Sequence, residues 1–224
     1  MKRSLCLTLM LGVTTGASGE GTSLESDKEK FSYSIGIQIG QSLVRQGVDL
    51  DTDAFNLAIR DAIDGSKPRL TPEDMQQAMG KGESAISSSL RERAKSNLKA
   101  GKAFLAENKQ REGVVALSSG LQYKILRAGA GEFPKSSSNV VVHYVGTLMD
   151  GREFDSSRRR GEAATLGLGQ MIRGWQEAIP LMRVGSRWQV FIPPDLAYGA
   201  KGAGAVIGPN ETLIFEIELL DIAG

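Results

Sequence analysis

The stretch from residue 140 to residue 157 constrains the fold of this chain more than any other. Residues 140–148 form a β-branched run that is typical of a strand. Asp150 and Gly151 then give a strong turn signal, and a return strand begins at Arg152. The sequence therefore predicts a β-hairpin with a tight turn.

The side-chain parity of this hairpin separates two residues that could carry chemistry. Side chains alternate between the faces of a strand, so Tyr144 and the only histidine of the chain, His143, point to opposite faces. The return strand ends in Phe154 followed by Asp155. Two aromatic side chains and a carboxylate on one small sheet predict an apolar pocket with a few fixed polar groups.

The part of the chain after residue 112 consists of short β-type runs separated by glycine, proline and serine. The closing run alternates apolar and acidic side chains, which is typical of an antiparallel sheet with one buried and one solvated face. A short helix over residues 175–182 is available to cover the buried face. We therefore predict an α+β domain at residues 112–224. Its strands are expected at residues 120–127, 140–148, 152–156, 164–168, 187–192 and 212–221.

The front half of the chain predicts helices, although its first segment is ambiguous. In residues 27–46, Phe31, Ile35 and Ile39 fit a helical repeat, whereas the apolar residues between them also allow the alternation of a strand. A helix start at Asp27 favours the helix.

Two further helices have clear start signals. Residues 51–64 carry an apolar stripe at every fourth position and end before Gly65. Residues 71–109 begin with a capping threonine and a proline in the first turn, and such a helix would be about 60 Å long. Its apolar residues are sparse, so we expect the second half to be a solvated rod. These patterns divide the front half into a helical region at residues 20–70 and a long connecting helix at residues 71–111.

The first 19 residues predict a secretory signal peptide. A short basic region precedes an apolar core at residues 5–13, and small residues including Ala17 and Gly19 offer cleavage positions. A retained N-terminal anchor is the alternative. The only cysteine, Cys6, lies inside this leader, so the exported chain would have no disulfide and no thiol nucleophile. We expect the periplasm as the destination, with the outer surface or secretion as alternatives.

Composition and motifs argue against several classes of function. The chain has 27 basic and 26 acidic residues, which gives no indication of nucleic-acid binding or of an anionic membrane as partner. No apolar run approaches the length of a membrane span. A zinc site needs several ligands at suitable spacing, and a serine–histidine–aspartate triad would need His143 on the face that it does not occupy. We expect neither a metal nor a cofactor.

Several aromatic and apolar residues could line a pocket on the buried face of the sheet. An ordinary core is the alternative, and the aromatic count alone favours it. The glycine-rich loop of residues 198–209 carries Val206 and Ile207 at its tip, which is typical of a flap over an apolar pocket. Trp175 opens the short helix and could form the pocket floor. The inward candidates are Tyr144, Phe154, Met171, Ile172, Trp175, Tyr198 and Phe215.

Four motifs now identify a known family. The segments V-H-Y-V-G-T-L-x-D-G-x-x-F-D-S-S, I-R-G-W, P-P-D-L-A-Y-G and T-L-I-F-E-I-E-L-L occur in this order between residues 112 and 224 and resemble the FKBP-type peptidyl-prolyl cis-trans isomerases. The front half, with S-Y-S-I-G near its start, looks like the macrophage infectivity potentiator (Mip) branch of that family. The resemblance implies an antiparallel half-barrel of five or six strands wrapped on one helix. It also implies a preceding all-α region that forms a homodimer.

The resemblance further implies roles for single residues. The proline ring of an X-Pro substrate would lie on Trp175, while the N–H of Ile172 and the hydroxyl of Tyr198 would hold substrate carbonyl groups. Asp155 would lie near the reacting amide, and tacrolimus-type macrolides would inhibit the enzyme. The catalytic candidates are Tyr144, Phe154, Asp155 and Tyr198. The substrate-binding candidates are Met171, Ile172, Trp175, Phe215, Ile207 and Arg160.

Two departures from the family pattern concern the width of the pocket. Ala164 stands where many members have a bulky aromatic wall, and Ala203 stands in the flap where some have histidine. The basic run at residues 158–160 is interpreted as a solvated loop rather than as an acid- or phosphate-binding patch. The resemblance implies one exception, since Asp155 would contact Tyr144 and Arg160 and so give Arg160 a structural role. We predict an isomerase that accelerates the folding of exported proteins. The alternatives are a dimeric holding chaperone or binding module with incidental isomerase activity and, more weakly, an inactive surface adhesion protein.

Overall fold

The structure is a computed structural model that describes residues 23–204 and 206–223. The predicted signal peptide, with Cys6, lies outside the described residues. From residue 23 on, the front half contains three helices, α1 (Asp27–Arg45), α2 (Thr52–Ile63) and α3 (Pro72–Asn108). The ambiguous first segment is therefore helical, as favoured. No helix in the described part of the chain is both long and apolar enough to cross a membrane.

Side-chain caps fix where these helices begin. Ser26 caps α1 one residue before the expected start at Asp27, since its hydroxyl accepts from the N–H of Glu29 and its own N–H donates to the Glu29 carboxylate. This reciprocal pair is a capping box. Asp51 and Thr71 cap α2 and α3 by accepting from the backbone N–H three residues on.

The described chain forms two compact units that divide after Ile39, so that α1 begins in the first unit and ends in the second. The domain boundaries expected at residues 70 and 111 do not coincide with this division and stay predictions.

Seven described strands of the second unit form one antiparallel sheet. The strand order is β1-β2-β6-β7-β3-β4, and β5 also pairs with β3. The short helix α5 (Arg173–Ala178) lies against the buried face and approaches β6 closely at Gly174, where an added Cβ would lie 2.5 Å from Ile192 Cγ2. The strands are β1 (Val114–Ala116), β2 (Gln122–Arg127), β3 (Asn139–Leu148), β4 (Glu153–Ser156), β5 (Ala164–Gly167), β6 (Arg187–Ile192) and β7 (Leu213–Ala223).

The predicted hairpin is present as β3 and β4, and β3 is the strand around which the sheet is arranged. It pairs with β7 along its whole length, while β5 and β4 share its other edge. Burial alternates strictly along β3, so Tyr144 lies on the buried face and His143 on the other. The His143 Nδ1 atom lies 3.1 Å from the hydroxyl oxygen of Ser157. The parity prediction is confirmed, and the histidine is held away from the buried face.

The sheet differs from the expectation of five or six strands because β1 was missed. This strand has only three residues, it lies at the edge, and none of them is fully buried, so it carries no alternation signal. A helical turn, α4 (Ser157–Arg160), also replaces the expected loop. Ser156 caps it through a bond from the N–H of Arg159, and Gly161 ends it with a φ of 82°.

The expectation that the second half of α3 is a solvated rod was wrong. Gly101 and Asn108 are buried, and the ring of Phe104 lies 5.9 Å from that of Phe191 on β6. The sparse apolar residues of α3 did not predict its packing on the sheet domain, because a buried glycine and a hydrogen-bonded asparagine make much of that packing. The amide of Asn108 donates to the side-chain oxygen of Gln122 at 2.9 Å.

Candidate functional site

A cavity of about 520 Å³ lies on the buried side of the β3–β4 hairpin. The hairpin, β5, α5, β7 and the loop of residues 198–209 each contribute to its walls. Nine of the ten predicted site residues line it, and the tenth, Arg160, is bonded to two of the nine. The predicted lining residues that the structure brings together are Tyr144, Phe154, Asp155, Met171, Ile172, Trp175, Tyr198, Ile207 and Phe215.

Four of the aromatic rings that line the cavity hold each other in edge-to-face contacts. The ring centroid of Trp175 lies 5.2 Å from those of Tyr144 and Phe215, at interplanar angles of 85° and 84°. Phe154 packs on Phe215 in the same way at 5.4 Å. Such pairs contribute about 0.5–1.5 kcal/mol each beyond the area that they bury. Trp175 is nearly inaccessible, and its Nε1 has no acceptor among the described residues.

A closed set of polar contacts lies at the rim of the cavity. The hydroxyl of Tyr144 donates to Asp155 Oδ2 at 2.5 Å, and Arg160 Nη2 donates to the Tyr144 oxygen at 2.9 Å. Arg160 Nη1 also pairs with Asp155 Oδ1. Each of the three side chains therefore contacts the other two, which fixes the carboxylate beside the aromatic rings.

These contacts determine the protonation states of the site. Burial alone would raise the pKa of Asp155, but hydrogen bonds from Tyr144 and Arg160, with the charge of Arg160, bring it below the ordinary value. The ionised carboxylate adds stability that is present above an unfolded-state pKa of about 3.9 and is lost as the pH falls through the lower folded-state pKa. The pKa values of Tyr144 and Tyr198 are both raised. Burial is the largest cause for each tyrosine, and the nearby Asp155 is the second. At neutral pH the site thus holds one anion and two phenol donors.

The basic run on α4 does not form a patch of free cations. All three guanidinium groups lie within ion-pair distance of a different carboxylate. The helical turn points them in different directions, so only Arg160 reaches the cavity rim. The pairs are Arg158–Glu218, Arg159–Glu153 and Arg160–Asp155.

Gly146 in the middle of β3 leaves room for two of the aromatic walls. It lies opposite Asp155 in the sheet, on the buried face between Tyr144 and Leu148. A Cβ at this position would lie 2.6 Å from Phe154 Cζ and 2.8 Å from Phe215 Cε1. No real Cβ is found so close to another heavy atom, so the glycine is required for both rings to approach the strand.

The loop of residues 198–209 is closed on itself at its tip and at its base. Ala203 and Ile207 exchange backbone hydrogen bonds of 2.9 and 3.2 Å. The N–H of Asn210 donates to the carbonyl of Gly199 at 2.8 Å. The tip places Ile207 and Ala203 in the cavity wall, and Tyr198 lines the cavity at the base of the loop.

Two family models match most of the chain. Residues 130–220 match the model described as FKBP-type peptidyl-prolyl cis-trans isomerase, and residues 28–125 match the domain amino terminal to FKBP-type peptidyl-prolyl isomerase. The chain belongs to the FKBP-type peptidyl-prolyl cis-trans isomerase family. The resemblance inferred from the four motifs is thereby confirmed, and the chain is a peptidyl-prolyl cis-trans isomerase.

Relatives of the Mip and FkpA types match the chain over nearly its full length. The outer membrane protein MIP of Legionella longbeachae is 43% identical over 99% of this chain and 98% of its own. The peptidyl-prolyl cis-trans isomerase Mip of Coxiella burnetii is 37% identical, with 99% of both chains covered. The crystal structure of FkpA from Escherichia coli superposes with a TM-score of 0.65 at 35% identity and covers 89% of this chain and 98% of that one. The predicted architecture of front helices and an antiparallel sheet is confirmed, and the alternative of a holding chaperone gains no better support.

Four lining residues of this FKBP-type cavity were not among the predicted site residues. Leu166, rather than Ala164, lines it from β5, although both are half-buried on the same face of that strand. Strand parity from Ala164 could have found Leu166, because side chains two positions apart share a face. Gln170 and Gly204 carried no comparable signal in the sequence. The four residues are Leu166, Gln170, Ala203 and Gly204.

Proposed function

We propose that the cavity binds the proline of an X-Pro segment and lowers the barrier to rotation about the preceding amide bond. One observation carries this assignment. Trp175 forms a buried aromatic floor under a cavity whose rim holds the ionised carboxylate of Asp155. In this proposal the proline ring lies on Trp175, and the N–H of Ile172 and the hydroxyl of Tyr198 bind substrate carbonyl groups.

The chemistry requires no nucleophile, metal or cofactor. Rotation about a peptide bond crosses a barrier of roughly 18–20 kcal/mol because the twisted amide loses resonance. X-Pro bonds populate both isomers, yet exchange only over about tens to hundreds of seconds. The planar amide is more polar than the twisted one, so an apolar cavity disfavours the planar ground state relative to the transition state. Each decrease of about 1.4 kcal/mol in the barrier accelerates the exchange tenfold.

The test is exchange spectroscopy by NMR on short X-Pro peptides in which residue X is varied. We expect a substoichiometric amount of the chain to accelerate cis-trans exchange, and a tacrolimus-type macrolide to abolish the acceleration by occupying the same cavity. If the chain accelerates exchange but the macrolide has no effect, the assignment of the cavity is wrong. If no X-Pro peptide exchanges faster, the proposed function itself is contradicted.

We further propose that the chain is a homodimer through its front helices. In the first unit the side chains of Phe31, Ile35 and Ile39 are 68%, 42% and 39% exposed. They recur at every fourth residue of α1, so these exposed apolar side chains lie on successive turns of one helix and mark an interaction surface. A second copy of the same helices is the partner that the resemblance to the Mip branch implies.

Light scattering of the exported chain tests the dimer. We expect a mass about twice that of one chain, and we expect Phe31→Asp combined with Ile35→Asp to halve it, because a buried charge is costly at an apolar interface. Ser32→Asp is the matched control, since it adds a charge to α1 without removing an apolar side chain. A monomeric mass for the unchanged chain would refute the dimer.

We place the chain in the periplasm. The leader predicted at residues 1–19 supports export, and one matched relative is named an outer membrane protein. The substrates would then be exported proteins whose X-Pro bonds isomerise slowly after translocation. Recovery of the chain in the cytoplasmic fraction with its leader intact would contradict this location.

A further inference from the structure

The second half of α3 is bonded to the segment that ends the loop of residues 198–209. Asn97 Nδ2 donates to the carbonyl of Pro209 at 2.9 Å and to Glu211 Oε1 at 3.0 Å. From the other side, Asn210 Nδ2 donates to the carbonyl of Ala94 on α3 at 3.3 Å. Three consecutive residues of the sheet domain therefore contact one turn of the helix.

The helix and this segment also touch at a position where no side chain fits. A Cβ on Gly101 would lie 2.3 Å from the hydroxyl oxygen of Thr212, which is completely buried. Gly101 follows Asn97 by four residues, so both lie on the same face of α3. The contact is thus close over two helical turns, and the position of the helix fixes the position of residues 209–212.

The same segment closes the base of the loop whose tip lines the cavity. Asn210 has a φ of 55°, and its N–H bonds to Gly199 at the opposite side of the base. Within the loop the two arms pack directly, since a Cβ on Gly202 would lie 2.3 Å from the carbonyl oxygen of Ile207. A displacement of the base is therefore transmitted to Ile207 at the cavity wall.

We propose that Asn97 is a positioning residue, which sets the loop against the cavity from the connecting helix, with Asn210 as its counterpart at the base of the loop. The proposal rests on the assignment of the cavity as the proline site. It makes the isomerase activity depend on how α3 is seated on the domain, although α3 contributes no side chain to the cavity lining.

Asn97→Ala in the full exported chain tests this dependence. The substitution leaves the carbonyl of Pro209 and the carboxylate of Glu211 without their shared donor. Misplacement of a binding group by about 1 Å costs up to about a hundredfold in rate, and for a smaller shift of the loop we expect kcat/KM to fall about fivefold. We expect KM to rise more than kcat falls, because Ile207, the loop residue that a displaced base would move, is a wall of the cavity. Ser96→Ala, at the exposed neighbouring position, should leave both constants unchanged.

Moving the negative charge from residue 211 to residue 97 distinguishes a positioning role from a simple loss of stability. Asn97→Asp places two carboxylates against each other and should lower kcat/KM more than Asn97→Ala. Adding Glu211→Gln restores one hydrogen bond in the reverse direction and should recover part of the loss. Glu211→Gln alone should be nearly neutral, because its amide oxygen can still accept from Asn97. Failure of Glu211→Gln to rescue Asn97→Asp would overturn the positioning role.

The methyl resonances of Ile207 report on the loop without any catalytic readout. We expect them to shift in Asn97→Ala and to stay in place in Ser96→Ala. If the unchanged chain does not isomerise X-Pro peptides, the proposed function fails while this shift still tests the contact between helix and loop. If the chain is active but Asn97→Ala leaves both kcat/KM and the Ile207 shifts unchanged, the inference is wrong.

Discussion

Replacing both Phe154 and Asp155 with alanine is expected to lower kcat/KM for an X-Pro peptide by about a hundredfold or more while the chain stays folded. Phe154 forms one wall of the cavity against Phe215, and among the described residues that line the cavity Asp155 alone carries a carboxylate. A loss of about 1.4 kcal/mol of transition-state stabilisation at each position accounts for a hundredfold decrease. Both side chains are only half-buried, so their truncation costs the fold less than truncation of the buried Trp175 would.

The matched control for this double variant is Arg159→Ala on the adjacent helical turn. Arg159 pairs with Glu153 and does not line the cavity, so its removal should leave kcat/KM near the value of the unchanged chain. Exchange spectroscopy gives the rates, and thermal unfolding shows that each variant is folded at the assay temperature. Unchanged activity in the folded double variant would mean that this cavity is not the active site.

Strand parity correctly predicted which side chains of β3 lie on the buried face of the sheet. The alternation along β3 was enough to place Tyr144 on the buried face and to exclude His143, the residue that a search for catalytic groups would select first. The motifs then placed Trp175 and Tyr198 around the same cavity, although the two residues come from separate elements. This succeeded because each motif corresponds to a local structure, a strand, a helix start or a loop, whose side-chain directions are set by its own backbone.

Contacts between distant elements were not predictable in the same way. The bonds of Asn97 to Pro209 and Glu211 join residues more than 110 positions apart, and an asparagine on a helix gives no sign of its partner. The packing of α3 against Thr212 depends on the absence of a side chain at Gly101. In the sequence alone, a glycine at this position indicates only an unfavourable helix residue. Polar and glycine-mediated contacts leave no hydrophobic periodicity, so the second half of α3 was expected to be solvated.

Gly146→Val is expected to have the largest effect on stability, because the two rings that a Cβ would strike are both walls of the cavity. Overpacking of a core costs about 1–3 kcal/mol, and here the nearest atoms belong to the rigid rings of Phe154 and Phe215. We expect the free energy of unfolding in urea to fall by about 3 kcal/mol. Isomerase activity should fall with it, since neither ring can keep its place. Thr147→Val is the matched control. It introduces a valine at the next residue of β3, whose side chain lies on the opposite face of the strand.

A second substitution shows whether the clash with the rings causes this loss. Phe154→Ala removes the ring nearest to position 146, so Gly146→Val with Phe154→Ala should be more stable than Gly146→Val alone. The two substitutions interact directly, and their effects on unfolding should therefore not be additive. Activity should not return in the double variant, because the wall that Phe154 supplies is still missing. Additive losses of stability would mean that the valine acts elsewhere in the sheet, and unchanged stability in Gly146→Val would contradict the packing of Phe154 and Phe215 over β3.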